Sequence, residues 1–369
     1  SGVREEPTWE KINVFKLEAD QGSSVYVNGM QQVRVRIRIE TDPVVVDDFP
    51  QDIPISDSEI ASLRLVERTS EQAAHALPDT QEGIEYDSNV QWATSKVRNR
   101  FTMLTSSSAE APDGTPPSTR AITFVDLYVH MKTADEVTFY AEFDRDSGGV
   151  EKSLGHGFEE DQMVRIIGKS MPPVGKDDYV MERERVWGGD GHDDGDDEFS
   201  FWLQSIDFWR VGFRKSGFDE LGFSTLRIEQ NTSTIQWESE LLDETFFSYT
   251  TWAFKEKSRT PGPEPTMLSY DPHLGELLKD VEHDLPDTSL HNRPPSPGQL
   301  VVALHREDDV RYWHDSMAGG NRLKCYREIL DKPMVYVLRD EYGNRHRLQI
   351  GFENNTIIDS RNTLVLLPV

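Results

Sequence analysis

A chain of 369 residues with 36% hydrophobic and 10% aromatic content holds enough apolar material for folded cores, and its length points to two domains. Its 66 acidic against 39 basic residues leave a formal charge of −27, which repels phosphate backbones and anionic bilayers and so argues against nucleic acid as a partner. The single cysteine, Cys325, excludes an intrachain disulfide scaffold, and no apolar run approaches the roughly 20 residues that span a bilayer.

The opening residues Ser1 to Glu6 are polar, unlike a secretory leader, so a soluble chain, secreted or cytoplasmic, is expected. Ile12 to Ala19 alternates and predicts a first strand. The stretch Val25 to Glu40 (VYVNGMQQVRVRIRIE) carries the strongest pattern in the chain. From Val33 it places Val33, Val35, Ile37 and Ile39 on one face of a strand and Arg34, Arg36, Arg38 and Glu40 on the other. Asn28-Gly29 just before it tolerates positive φ at both residues, which predicts a tight turn and a hairpin. The basic row Arg34, Arg36 and Arg38 has two readings. It is a solvated sheet face with cross-strand Asp or Glu partners, or a docking stripe for an acidic surface such as a second copy of the chain.

Asp42 to Pro54 reads as a Pro- and Asp-rich connection, and Ser56-Asp57-Ser58-Glu59 as a cap opening one short helical turn. Leu63 to Glu67, Val90 to Thr94, Arg100 to Leu104, Ala121 to Met131 and Val137 to Phe143 follow as strands, with turn chemistry at Pro112-Asp113-Gly114 and Pro116-Pro117. The spacing suits a β-sandwich of about seven strands. A strand, an Asn-Gly turn and a Gln-rich step into a long alternating strand, at Val27-Asn28-Gly29 and Gln32-Val33-Arg34-Val35, resembles the opening of bacterial immunoglobulin-like domains of the invasin and intimin type. The resemblance covers residues 12–40 best and 12–146 loosely, and the acidic insert at Asp47-Asp48 departs from that family's compact pattern. It implies a bacterial spacer, adhesion or interaction module rather than an enzyme.

Asp144 to Gly149 (DRDSGG) reads as a domain boundary. Beyond it, strands are predicted at Gln162 to Gly168, Tyr179 to Arg185, Leu226 to Glu238, Phe246 to Lys255, Leu300 to Leu304, Met334 to Asp340, Arg347 to Phe352 and Thr363 to Val369, with a turn at Tyr342-Gly343-Asn344. Phe199 to Phe213 is dense in aromatic rings, and its periodicity fits helix and strand equally. Asp271-Pro272 opens the clearest helix, with Leu274, Leu277, Leu278 and Val281 on one face, and Arg322 to Leu330 suits a second short one. No internal repeat stands out along the sequence. The expected fold is therefore mainly β: an N-terminal immunoglobulin-like sandwich over residues 1–148, then a β-rich second domain over 149–369 with one or two short helices, one near 271–285.

Chemistry has one outstanding candidate, the loop GGDGHDDGDDE at residues 188–198. Asp190, Asp194, Asp196 and Glu198 fall on positions 1, 5, 7 and 9 of an EF-hand-like loop, with Gly195 at 6. His192 stands at position 3 and Phe201 at position 12, so the closing bidentate Glu is missing and the loop is no EF-hand. Its carboxylates and glycines could still wrap calcium, against the plainer reading of a solvated acidic loop. The scattered histidines, His305, His314 and His346 among them, form no HExxH zinc motif, and no GxSxG elbow is present. Cys325 reads as a buried small residue, and Tyr312-Trp313-His314 as hinge or core packing. Two functions follow. The first is a non-catalytic bacterial or phage-type β-protein acting in binding or assembly, such as an adhesin-like module, a secreted toxin component or a self-associating structural protein, with a protein partner or a second copy as its target. The second is a carbohydrate-active hydrolase with a glycan in an aromatic cleft and calcium at the acidic loop.

Overall fold

The computed structural model describes residues 5–69, 75–105, 114–188, 205–218, 221–230, 235–237, 247–259, 267–269, 295–307, 332–353 and 363–369. The chain is mainly β and forms two compact units, one built on residues up to Pro172 and one on residues from Pro173.

The first unit contains β1 (Ile12–Glu18), β2 (Ser24–Tyr26), β3 (Val33–Thr41), β4 (Val44–Val46), β5 (Phe49–Gln51), α1 (Asp57–Ala61), β6 (Arg64–Glu67), β7 (Trp92–Ser95), β8 (Ile122–Met131), β9 (Glu136–Asp144), β10 (Val150–Lys152), α2 (Glu159–Gln162) and β11 (Met163–Lys169). One sheet runs β1-β3-β8-β7 and the other β10-β9-β11-β2, with β6 also on β9. Period-two alternation does the sorting, as Val33, Val35, Ile37 and Ile39 of β3 turn inward with Leu127, Val129 and Met131 of β8. They meet Leu65, Val137, Phe139, Ala141, Phe143, Val164 and Ile166 of the second sheet in a single core. Each such side chain contributes about 1.5–3 kcal/mol by leaving water.

Asn28-Gly29 is not a hairpin turn. β2 leaves β3 and pairs in parallel with β11, Ser24 opposite Ile167, so Asn28-Gly29 is a corner between two sheets. Asn28 Oδ1 accepts from the backbone N–H of Met30 (2.8 Å) and Gln31 (2.9 Å), which ties the corner locally. Gly29 has φ +79°, and a Cβ there would stand 2.5 Å from Ile84 O. Gly29→Ala is therefore expected to cost about 2–3 kcal/mol through left-handed strain and the clash. Urea denaturation checks this, and a loss under about 0.5 kcal/mol would show that the corner relaxes freely.

The Asp42 to Pro54 connection holds a hairpin, β4 on β5. Its two-residue loop has Asp47 at φ 51° and Asp48 at φ 67°, the backbone of a type I′ turn. Arg100 to Leu104 is not a strand. Phe101 and Met103 are buried in alternation, but the Phe101 N–H donates to Asn99 Oδ1 (3.1 Å) and Thr102 O accepts from Gln31 Nε2 (2.9 Å), so side chains take the hydrogen bonds a ladder would use. Ser56 caps α1 in a full capping box with Glu59. Glu59 is buried and also takes hydrogen bonds from Trp9 Nε1 (2.7 Å) and the Asp146 N–H (3.2 Å), so five helical residues fasten the chain start to the β9–β10 turn. Asp144 to Gly149, a boundary in the sequence pattern, is that turn.

The second unit contains β12 (Tyr179–Gly188), β13 (Ser205–Phe213), β14 (Phe223–Gln230), β15 (Ile235–Trp237), β16 (Phe247–Lys255), β17 (Met267–Ser269), β18 (Leu300–Glu307), β19 (Met334–Asp340), β20 (Arg345–Phe352) and β21 (Leu364–Pro368). Its sheets run β12-β13-β18-β16-β15, with β17 on β16, and β14-β19-β20-β21. Leu226 to Glu238 thus supplies parts of two strands, and the C-terminal part of the aromatic stretch, Ser205–Phe213, is a strand. Phe213 of one sheet meets His346 of the other with centroids 4.9 Å apart, and Trp252 meets Tyr336 at 6.5 Å. The predicted helices at 271–285 and 322–330 lie outside the described residues.

The repeat that the sequence hides lies in the connectivity. In the first unit β1-β3-β8-β7 and β6-β9-β11 are hydrogen-bonded in those orders, and in the second β12-β13-β18-β16 and β14-β19-β20. Numbered along each unit, these strands pair identically: first, second, fifth, fourth in one sheet, and third, sixth, seventh in the other.

Candidate functional site

The basic row of β3 is turned to internal use. Arg34 Nε donates to Asp20 Oδ1 (2.9 Å), and its side chain is 2% exposed. Arg36 grips Asp126 with two parallel bonds of 2.9 and 3.0 Å and lies 3.5 Å from Asp20 as well. Hydrogen bonding to Asp20 raises the Arg34 guanidinium above its usual range and outweighs burial, and Asp126 does the same for Arg36. Arg38 reaches Glu40 (3.1 Å) and lies over Phe124, with 43% of its side chain exposed. The cross-strand carboxylate partner anticipated for Arg36 is Asp126 of β8, and Arg34 uses Asp20 from the segment after β1.

On the same outer face of this sheet lies a hydroxyl–imidazole pair. His130 follows the inward Val129 and so points away from the core, where Ser95 Oγ hydrogen-bonds its Nε2. Gln32 Nε2 donates to Ser95 Oγ (3.3 Å), and Gln32 Oε1 accepts from Arg98 (3.0 Å) and the Asn99 N–H (2.9 Å). The second unit repeats the arrangement, with Thr251 Oγ1 at 3.2 Å from His305 Nε2. The registers coincide: Ala93 stands opposite His130 and Tyr249 opposite His305, and the hydroxyl lies two residues further along in each case. A hydroxyl held on an imidazole is the start of a nucleophile–base pair. Here Ser95, Thr251, His130 and His305 are each at most 1% exposed, so a substrate carbonyl has no route to the oxygen. Burial also lowers both imidazoles to about 4, which leaves them weak bases near neutral pH. These pairs hold the fold together.

The third cluster combines a polar relay with an open groove, all within the second unit. Tyr179 OH lies 2.6 Å from His346 Nδ1, and His346 Nε2 lies 2.9 Å from Asp340 Oδ2. A carboxylate offers only lone pairs, so Nε2 donates to Asp340, and in the neutral ring Nδ1 then accepts the tyrosine O–H. His346 and Asp340 are buried among Phe213, Phe223 and the Tyr179 ring. Burial, followed by the Asp340 and Asp178 charges, raises the Tyr179 phenol and keeps it protonated. The relay is therefore a brace that orients Tyr179. Tyr179 also lines a groove of about 220 Å³ together with Lys176, Met181, Trp209, Leu364 and Leu366. Local sequence gives no sign of this site, because Tyr179 is distant in sequence from its partners and His346 reads as one scattered histidine.

Asp190, Asp194, Asp196 and Glu198 lie outside the described residues, as do His192, Tyr312 to His314 and Cys325. Among the described residues no group of three or more His, Cys, Asp or Glu is placed to hold a metal ion, and no helix is long and apolar enough to cross a membrane. Compared with known proteins, the chain matches no family model and no curated sequence.

Proposed function

We propose that the chain is a non-catalytic binding and assembly protein made of two immunoglobulin-type sandwiches in tandem. The shared connectivity carries this reading. Named A to G in chain order, each unit pairs A-B-E-D in one sheet and C-F-G in the other, which is the constant-type immunoglobulin order. β2 adds to it as a short parallel strand beside β11. The arrangement agrees with the resemblance at Val27-Asn28-Gly29 and Gln32 to Val35, and with work in adhesion or self-association. The buried pairs Ser95–His130 and Thr251–His305 fit a scaffold better than a reaction centre.

The contact surface we favour for self-association is the β4–β5 hairpin. Val45 is 70% and Phe49 71% exposed on a two-stranded ribbon that pairs with no other strand among the described residues. With a net charge of −27, copies repel one another at low salt, so association is expected to strengthen as salt screens that repulsion. Light scattering across protein concentration should show a mass above the monomer that rises with salt and falls in Phe49→Ser. The same series with calcium and then chelator tests Asp190 to Glu198, because loss of the larger species on chelation would place that loop in assembly. A monomer throughout would end the self-association reading and leave binding to other proteins or glycans.

A further inference from the structure

We infer that two copies of the chain pair through their β4–β5 hairpins about a two-fold axis, with the ribbons antiparallel and the Asp47-Asp48 tip of each against Lys11, Arg38 and Arg120 at the base of the other. This pairing rests on the self-association reading and gives it an arrangement and a charge pattern.

Three kinds of surface follow one another along this end of the first unit. Asp47 and Asp48 form the tip, and both are exposed. Along the ribbon Val46 stands opposite Phe49 on one face and Val45 opposite Pro50 on the other, so both faces are apolar. At the base the Thr41 N–H donates to Ala121 O (3.1 Å) and the Asp42 N–H to Lys11 O (2.9 Å). Those bonds gather Lys11 and Arg120 beside the end of β3, three residues beyond Arg38. Each of these cations meets a carboxylate: Lys11 meets Asp42 (3.4 Å), Arg38 meets Glu40 (3.1 Å) and Arg120 meets Asp52 (3.9 Å). In all three pairs the cation is the more exposed partner, most of all Arg120 at 86% against 35% for Asp52. The base therefore turns positive charge outward on a chain whose net charge is −27.

A negative tip, an apolar ribbon and a positive base are self-complementary when one ribbon is reversed on another, which is what a two-fold axis does. A parallel arrangement would set tip against tip. Backbone strain marks the same two ends. The non-glycine residues at positive φ among the described residues are Asp47, Asp48 and Arg120. Arg120 has φ 45°, a conformation that costs an arginine about 1–2 kcal/mol and that glycine adopts freely. Strain of this kind collects where a surface is used. The tip stands about five extended residues, roughly 17 Å, beyond the base. Two ribbons overlapping over that length bury less than the roughly 1,200 Å² of a standard interface, so the dimer is weak, with a dissociation constant between about 10 μM and 1 mM.

Sedimentation equilibrium of the full chain at about 0.15 M salt tests the arrangement, because a screening length of about 8 Å mutes distant repulsion and spares charges in contact. Asp47→Asn with Asp48→Asn keeps residues that suit the turn and removes the charge of the tip. General repulsion alone predicts tighter association for this less negative chain, whereas the pairing predicts a dissociation constant about tenfold higher. Arg38→Glu with Arg120→Asp should weaken association at least as much. That second variant is then mixed with Asp47→Lys plus Asp48→Lys. Each of the two alone sets like charges together at both contacts, and the mixed dimer sets opposite charges together at both. The mixture should therefore be heavier than either component. With a wild type that associates, an Asn-tip variant as tight as wild type, an unchanged affinity in Arg38→Glu with Arg120→Asp, or a mixture no heavier than its components would each overturn the pairing alone. A wild type that stays monomeric up to about 1 mM ends the self-association reading and the pairing with it.

Discussion

Acidification from pH 7 to pH 4 is expected to remove about 3 kcal/mol of stability from each unit through a single histidine, His130 in the first and His305 in the second. Above pH 6.5 each ring is neutral whether the chain is folded or unfolded. Between 6.5 and about 4 only the unfolded chain takes the proton, because burial holds the folded ring at about 4. The unfolded state then binds more protons, so stability falls as pH falls, and the loss is complete below about 4. The charged neighbour that acts on His130 is Arg98, which disfavours the imidazolium further, while Ser95 and Gln32 around it carry no charge. A chain with 66 carboxylates titrates strongly over the same range, so the measurement must be differential. Urea denaturation of wild type and of His130→Gln and His305→Gln at pH 7, 5.5 and 4 isolates each ring. Each variant should lose less than wild type by about 3 kcal/mol over that range. NMR titration of the native rings gives a second reading that needs no variant. A ring that protonates near pH 6.5 in the folded protein would refute the prediction.

The strands were legible because alternation is a local signal. Met334 to Asp340 matches β19 end to end, and Val33 to Glu40 matches β3 within one residue. Pairing was not legible where partners lie far apart in the chain. Asn28-Gly29 has the chemistry of a hairpin turn, yet β2 is drawn to β11, more than a hundred residues on, because Val25 buries completely there. The hairpin at Val44 to Gln51 was obscured because Asp47-Asp48 and Pro50 are loop-forming residues by composition, although Asp tolerates the positive φ that a type I′ turn requires. Arg100 to Leu104 failed for the opposite reason. Its alternating Phe101 and Met103 are buried, but burial of side chains does not by itself supply a ladder partner.

The duplication of the two units stayed invisible for a related cause. What repeats is the hydrogen-bonding order, which constrains the face a residue points to and hardly its identity. The traces in sequence are sparse: Tyr140 and Asp144 on β9 recur at the same spacing as Tyr336 and Asp340 on β19, and His130 recurs as His305. His130 also shows the limit of reading exposure from alternation. Its neighbours Val129 and Met131 face the core, which predicts an exposed ring, yet the loop carrying Arg98 and Asn99 closes over that face through Gln32. Sequence periodicity assigns a side to each residue and says nothing of what covers it.

Asp20→Ala is expected to cost about 3–5 kcal/mol. Arg34 is 1% exposed, and Asp20 holds two of its donors. Removing the carboxylate leaves a guanidinium buried with no hydrogen-bonded counter-ion, beside Arg36, whose charge opposes it, and near Asp126, which Arg36 already holds. The double variant Asp20→Ala with Arg34→Met removes the stranded charge as well and should regain most of the loss, since an apolar pair of similar volume is often as stable as a buried ion pair. Arg38→Ala, by contrast, breaks a bond to a partly exposed Glu40 and should change stability by less than about 1 kcal/mol. Urea denaturation of the four proteins decides the matter. A loss below about 1 kcal/mol for Asp20→Ala would mean that Arg34 can reach water or another carboxylate, and would return it to the set of residues free to dock a partner. The expected pattern instead divides the row by purpose, with Arg34 and Arg36 bracing the sheet and Arg38 alone left with enough exposed charge to meet an acidic surface.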